Sequence, residues 1–252
     1  MEMITIDKHG VATLIINNGG PLNIISSRVA RELTQALRAL AEDSRVRVLV
    51  IRGTGVKTFV GGADIKEMQA LDPASARTFI TALYELCEAV RLFPRATIAH
   101  IQGWCIGVGL ELAACCDMRY ATHDAQFTMP EVKIGIPSVI QGALLARLIG
   151  EGRARWLMLS GRAIDASTAM AWGLLNEIGD TDEMAAIVAD FAAELASHGE
   201  TGMRKQKELL IDWEAPYLQK ATRDSIGHFG QAFESDEPGN YMREFFEARK
   251  KG

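Results

Sequence analysis

The chain has 252 residues, 48% of them apolar and 23% charged, with a net charge of −5, so it is long enough for one large domain with a sizeable core. Its acidic balance and the lack of a basic tract argue against nucleic acid as a main partner, and no apolar run has the length of a membrane span. The alternating, acidic opening Met1–Asp7 is unlike a signal peptide, and Cys87, Cys105, Cys115 and Cys116 sit in apolar segments with no zinc-site spacing. These features predict a cytoplasmic protein with no membrane association, no structural metal and buried thiols.

Residues 3–7 and 11–17 alternate like two short strands around a Lys8-His9-Gly10 turn. Asn17 to Asn23 is a loop by its Asn, Gly and Pro content. Ser26 or Ser27 then caps a helix to about Glu42, with Val29, Leu33, Leu37 and Leu40 along one stripe. The β-branched run 46–51 reads as a strand buried on both faces. It leads into a glycine-rich turn, Gly53 to Met68, at the strand's carboxyl end, where open α/β sheets bind ligands. Within that turn Gly61, Gly62 and Ala63 allow a ligand to approach the backbone, although Gly-Gly-Ala-Asp alone also fits an ordinary loop.

Asp72-Pro73 opens a helix through about Leu92, with Phe79, Leu83, Leu86 and Val90 as its core stripe. The strand 96–101 then feeds glycines at 103, 107 and 109 and a small-residue helix that carries a single acid, Glu111. A strand, a glycine turn and a helix start deliver free backbone N–H groups to one point, and Glu111 shares a helix face with Val108. The same stretch alone is also compatible with close helix–strand packing around a paired core acid. Strands at 118–121 and 125–129 lead to Glu131, which lies between Pro130 and Pro137 in an apolar setting that would raise its pKa and suit acid–base work, or else is an exposed loop residue. Helices are predicted at 150–160 and 165–173, a strand at 174–178, and then helices alone, at 182–198, 201–211, 216–233 and 238–250. The helical tail carries Ile226, Phe229, Phe233, Tyr241, Phe245 and Phe246, enough to cover the core or meet another subunit.

Taken in order, these pieces resemble the crotonase superfamily, specifically the enoyl-CoA hydratase/isomerase family. The matching segments are Pro21-Leu22-Asn23, Phe59 to Met68, Gly103 to Ala113, Met129-Pro130-Glu131, and Leu159 through Leu174. Each is weak alone and the ordered set is specific; the likeness fades after about residue 200. The resemblance implies an α/β, crotonase-like fold of repeated ββα units, with a catalytic core at 1–195 and a C-terminal helical trimerisation region at 196–252. It implies a homotrimer or homohexamer, an acyl-CoA substrate, and no cofactor beyond the coenzyme A that is part of that substrate.

By the same resemblance, the N–H groups of Ala63 and Val108 form an oxyanion hole. Glu131 donates a proton to carbon and Glu111 acts as base toward water. Leu22, Gly62, Asp64, Ile65, Lys66, Trp104, Gly107, Pro137 and Val139 contact substrate or its coenzyme A. The implied activity is hydration of a 2-enoyl-CoA to a 3-hydroxyacyl-CoA, or its reverse. Isomerisation, another lyase or hydrolase reaction of the superfamily, and a non-catalytic acyl-CoA-binding scaffold are the alternatives. The chain departs from the family at Val108, where a glycine is usual, and at Ile136 to Gly142, which replaces a glycine-rich turn. A serine hydrolase using Ser138 lacks a nucleophile-elbow pattern, and a nicotinamide dehydrogenase lacks the third glycine.

Overall fold

The computed structural model describes residues 3–250, the side chains of residues 3 and 215–217 excepted. The elements run in chain order as β1 (Met3–Ile6), β2 (Val11–Ile16), α1 (Ser27–Glu42), β3 (Val48–Gly53), β4 (Thr58–Val60), α2 (Ile65–Met68), α3 (Pro73–Arg91), β5 (Ala96–Ile101), β6 (Trp104–Ile106) and α4 (Val108–Cys115). They continue as β7 (Met118–Thr122), β8 (Gln126–Thr128), α5 (Ala143–Ile149), α6 (Glu151–Ser160), β9 (Ile164–Asp165), α7 (Ala166–Ala171), β10 (Glu177–Gly179), α8 (Thr181–Ser197), α9 (Glu200–Ala232) and α10 (Glu237–Lys250). Short 3₁₀ turns occupy Glu131–Ile134 and Ile140–Gly142.

Among the described residues the strands form a six-stranded sheet, β1-β2-β3-β5-β7-β10, and a four-stranded sheet, β4-β6-β8-β9. Each successive unit therefore sends its first strand to the large sheet and its second to the small one: β3 then β4, β5 then β6, β7 then β8. That is the repeated ββα architecture the family resemblance implies. Strands of the large sheet read as unbroken apolar runs because helices cover both faces. Leu14, Ile16, Leu49, Ile51, Ala99 and Ile101 join the main core with α1 and α3, while Val48, Val50, Ile98 and Tyr120 meet Met184, Val188 and Ala192 of α8.

Local chemistry explains the element ends. Ser26 caps α1 by accepting the Val29 N–H, and Asp72 and Ser75 close a capping box at the start of α3. Asn23 takes a left-handed φ of 48°, which Asn tolerates, and its buried amide donates to the carbonyls of Thr58 and Phe59. The Pro21-Leu22-Asn23 segment is thereby pinned onto β4.

Four expectations differ from the structure. The turn at 53–68 contains strand β4, and the turn after residue 101 contains strand β6. The strand expected at 174–178 begins only at Glu177. The two helices expected at 201–211 and 216–233 are one continuous helix, α9. Ties to the body lie on both sides of the expected break. Lys207 pairs with Asp117 at 2.6 Å, Glu214 with Arg91 at 3.5 Å, and Leu218 and Phe229 are buried.

Candidate active site

In the small sheet β4, β6 and β8 are parallel neighbours, and the segments that follow their carboxyl ends meet at one cavity. Gly61 to Ala63 follow β4, Gly107 and Val108 follow β6, and Pro130 and Glu131 follow β8. The cavity has a volume of about 80 Å³, and its far end is apolar, with Met68, Phe79, Leu83 and Phe229. Toward solvent it shares Gly61, Ala63, Ile65, Ile106, Pro130 and Ile134 with an outer cleft of about 820 Å³. Such a concave, mostly apolar site with a few converging polar groups has the character of a small-molecule site.

Two of the lining residues, Ala63 and Val108, stand where the regular backbone ladders leave an N–H over. Ile25 donates its N–H to Gly62 O and accepts from Asp64 N–H, so Ala63, between them, turns its own N–H away from Ile25. Val108 is the first residue of α4, and a helix's first N–H groups have no intrahelical acceptor. No side chain caps that end; Gly107, at φ 54°, occupies the cap position instead. Ala63 and Val108 both line the cavity. At the far end of α4 the buried guanidinium of Arg119 donates to the carbonyls of Cys116 and Ala113, complementing the helix dipole. Gly109 allows α4 to lie on β4, since a Cβ there would stand 2.6 Å from Val60 O.

Two carboxyl groups line the same cavity. Glu111, 4% exposed, projects from the first turn of α4 and accepts the Gly142 N–H at 2.9 Å. Glu131 opens the 3₁₀ turn after Pro130 and accepts the Ser138 hydroxyl at 2.8 Å. Burial raises the pKa of both, and the neighbouring Glu131 adds charge repulsion that pushes Glu111 further up, against the Gly142 N–H that favours its ionised form. Two acids this coupled titrate as a pair that retains a proton into a higher pH range than a lone carboxylate.

The predicted residues all fall in the two joined spaces. Gly62, Ile65, Gly107, Pro137 and Val139 line the inner cavity; Leu22, Asp64, Ile65, Lys66 and Trp104 line the outer cleft. Asp64 also has a local duty, because its side chain caps α2 by accepting the N–H groups of Lys66 and Glu67. Val108 is buried and lines the inner cavity. The helical region beyond residue 196 contributes walls that the motif reading missed: Phe229 from α9 to the inner end, and Phe245, Phe246 and Arg249 from α10 to the cleft. Arg249 lies over the Phe245 ring at 4.3 Å, which fixes a cation at the cleft wall. Ser138 hydrogen-bonds a carboxylate, an arrangement unlike an activated nucleophile.

Gly107 sets how near Glu131 can come, since a Cβ there would lie 2.5 Å from Glu131 Oε1. Gly107→Ala is expected to displace that carboxyl and lower turnover by about tenfold or more while the fold persists, read by steady-state kinetics beside a melting curve.

A family model described as enoyl-CoA hydratase/isomerase matches residues 7–252. A crotonyl-CoA hydratase of Syntrophomonas wolfei is 32% identical over 251 residues, covering 99% of this chain and 96% of that one. A probable enoyl-CoA hydratase of Bacillus subtilis is 34% identical, covering 95% and 93%. In fold, the chain superposes on the crystal structure of an enoyl-CoA hydratase from Bacillus halodurans with a TM-score of 0.90 at 20% identity, covering 96% and 99%.

Proposed function

Because the chain belongs to the enoyl-CoA hydratase/isomerase family, we propose that it adds water across the double bond of a 2-enoyl-CoA thioester to give a 3-hydroxyacyl-CoA, or runs that step in reverse. The observation that carries this reading is the convergence of Glu111 and Glu131, from different elements, on one cavity that Ala63 and Val108 also line.

The chemistry follows from where charge develops. As the water oxygen bonds to the β-carbon, the π electrons move toward the thioester, and negative charge gathers on its oxygen. The Ala63 and Val108 N–H groups would meet that oxygen, and losing one such donor typically costs about 3 kcal/mol. The coupled pair shares its retained proton, and in the reacting form that proton stands on Glu131, so Glu111 takes a proton from the attacking water and Glu131 gives one to the α-carbon. The proton on Glu111 then passes to Glu131, which resets the pair. One acid suffices to move a double bond along a chain, so two acids on the cavity favour hydration over isomerisation.

The substrate's coenzyme A would occupy the outer cleft. Leu22 and Trp104, both exposed, offer it apolar contact, and Lys66 and Arg249 offer charge to its phosphates. No step needs a further cofactor. The exposed Leu209, Leu210 and Trp213 of α9 support assembly into a trimer or hexamer through the helical region, and the four buried free thiols suit a reducing cytoplasm.

Hydration is tested on a panel of short, medium and branched 2-enoyl-CoA esters by loss of the conjugated thioester absorbance. Turnover with at least one ester is expected. Binding of the esters without loss of absorbance would remove hydration and leave another reaction of the family.

A further inference from the structure

A protonated carboxyl group carries its proton on one of two oxygens, and only one of them can serve a substrate. On Glu131 the two are not equivalent. Oε2 accepts the Ser138 hydroxyl at 2.8 Å. An oxygen already accepting a hydroxyl proton is the carbonyl-type oxygen of the acid, so the acid's own proton belongs on the other one. That other oxygen, Oε1, lies against Gly107, a residue that lines the inner cavity and starts the helix bearing Glu111. We propose that Ser138 is a positioning residue for the hydration step: its hydroxyl engages Glu131 Oε2 so that the transferable proton resides on Oε1, the oxygen directed at the cavity.

The turn that carries Ser138 is built to hold this arrangement. Ile140, two residues on, adopts a φ of 42°, a conformation that β-branched side chains rarely take and that persists only where the surroundings over-determine it. The surroundings here are specific. The Ile140 N–H donates to Ser225 Oγ of α9 at 2.8 Å, and the fully buried Gln141 donates its side-chain amide to Glu88 of α3 at 2.9 Å. The same bend aims the Gly142 N–H at Glu111 Oε1. One anchored turn, 138–142, thus engages one oxygen of each acid.

The inference rests on Glu131 as the proton donor, and its test separates the two. The pH dependence of kcat and KM is measured for wild type, Ser138→Ala and Ser138→Thr, with melting curves to show that each variant is folded. Loss of the hydroxyl removes a donor from ionised Glu131, so the alkaline limb of kcat should move to higher pH in Ser138→Ala. Its maximal kcat should fall about tenfold with KM little changed. The threonine variant, which keeps a hydroxyl, should restore the wild-type limb. A ¹³C-carboxyl titration of Glu131, assigned through the signal missing in Glu131→Gln, should show the same upward displacement without any turnover. Inactivity of the wild type on enoyl-CoA esters would therefore count against hydration while this titration still decides the role of Ser138. Coincident Glu131 titration curves for wild type and Ser138→Ala would overturn the proposal.

Discussion

Glu111→Gln and Glu131→Gln should each lower kcat for enoyl-CoA hydration by about 10²–10⁴-fold, the usual worth of a positioned acid or base, with far smaller changes in KM. The KM expectation follows from the site's division of labour. The Ala63 and Val108 donors, the apolar inner end and the outer cleft are untouched by either substitution. Glutamine keeps the shape of glutamate and can still accept the Gly142 N–H or the Ser138 hydroxyl, so the loss reports proton transfer rather than collapse. The double variant should lose little more than the worse single one, because the two groups act as a unit on one water. Substitutions that raised KM and left kcat alone would assign these residues to binding and end the two-acid mechanism. The measurement is steady-state kinetics on the best ester of the panel.

The second large effect concerns stability in acid. His100 is buried in β5, paired in register with Arg52 of β3, and its Nε2 has no hydrogen-bond partner among the described residues. Burial, and then the Arg52 charge, push its pKa from 6.5 down to about 4. The folded chain therefore keeps His100 neutral where the unfolded chain would protonate it. Between pH 6.5 and 4 the unfolded state binds the extra proton, so stability falls as pH drops through that window and is unaffected by this residue above it. A displacement from 6.5 to about 4 corresponds to about 3 kcal/mol. His100→Leu should remove that slope. The check is the difference in unfolding free energy between wild type and variant, from urea titrations at pH 7, 6, 5 and 4. Parallel profiles for the two proteins would mean that His100 ionises freely in the fold. Glu111 and Glu131 act with the opposite sign, since raised carboxyl pKa values favour the folded state at low pH and cost stability as pH rises.

Much of this fold is visible in the sequence wherever a pattern repeats. The stripe of α1, the capping box of α3 and the apolar run of β3 are local signals, and each element forms close to where they place it. Strands β4 and β6 have three residues each and stand among glycines; their existence depends on lateral pairing with each other and with β8, which no local window contains. Helix α9 likewise continues through an expected break because contacts with α3 and α4's neighbours hold both halves. At the site, Glu111, Glu131, Ala63 and Val108 are legible as an ordered set of motifs. Phe79 reads as ordinary core stripe, and Phe229 as tail packing, yet both line the cavity. Ser138 carries no local mark of its contact with Glu131, since a seven-residue loop can close that distance or not according to how Ile140 and its anchors bend it.

Helix α4 is buried at every residue, begins at one of the two donors to the cavity and ends under Arg119. Its opening would expose a mostly apolar segment, uncover the buried Glu111 and strand a cation without a carboxylate partner, so local fraying is no inexpensive route for it. The start of α4 at Val108 is thus coupled to the cooperativity of the whole body, and α10, with Met242 buried, packs on the 3₁₀ turn that carries Glu131. The cavity is therefore walled by segments whose places are set by burial, and the fold presents it already formed.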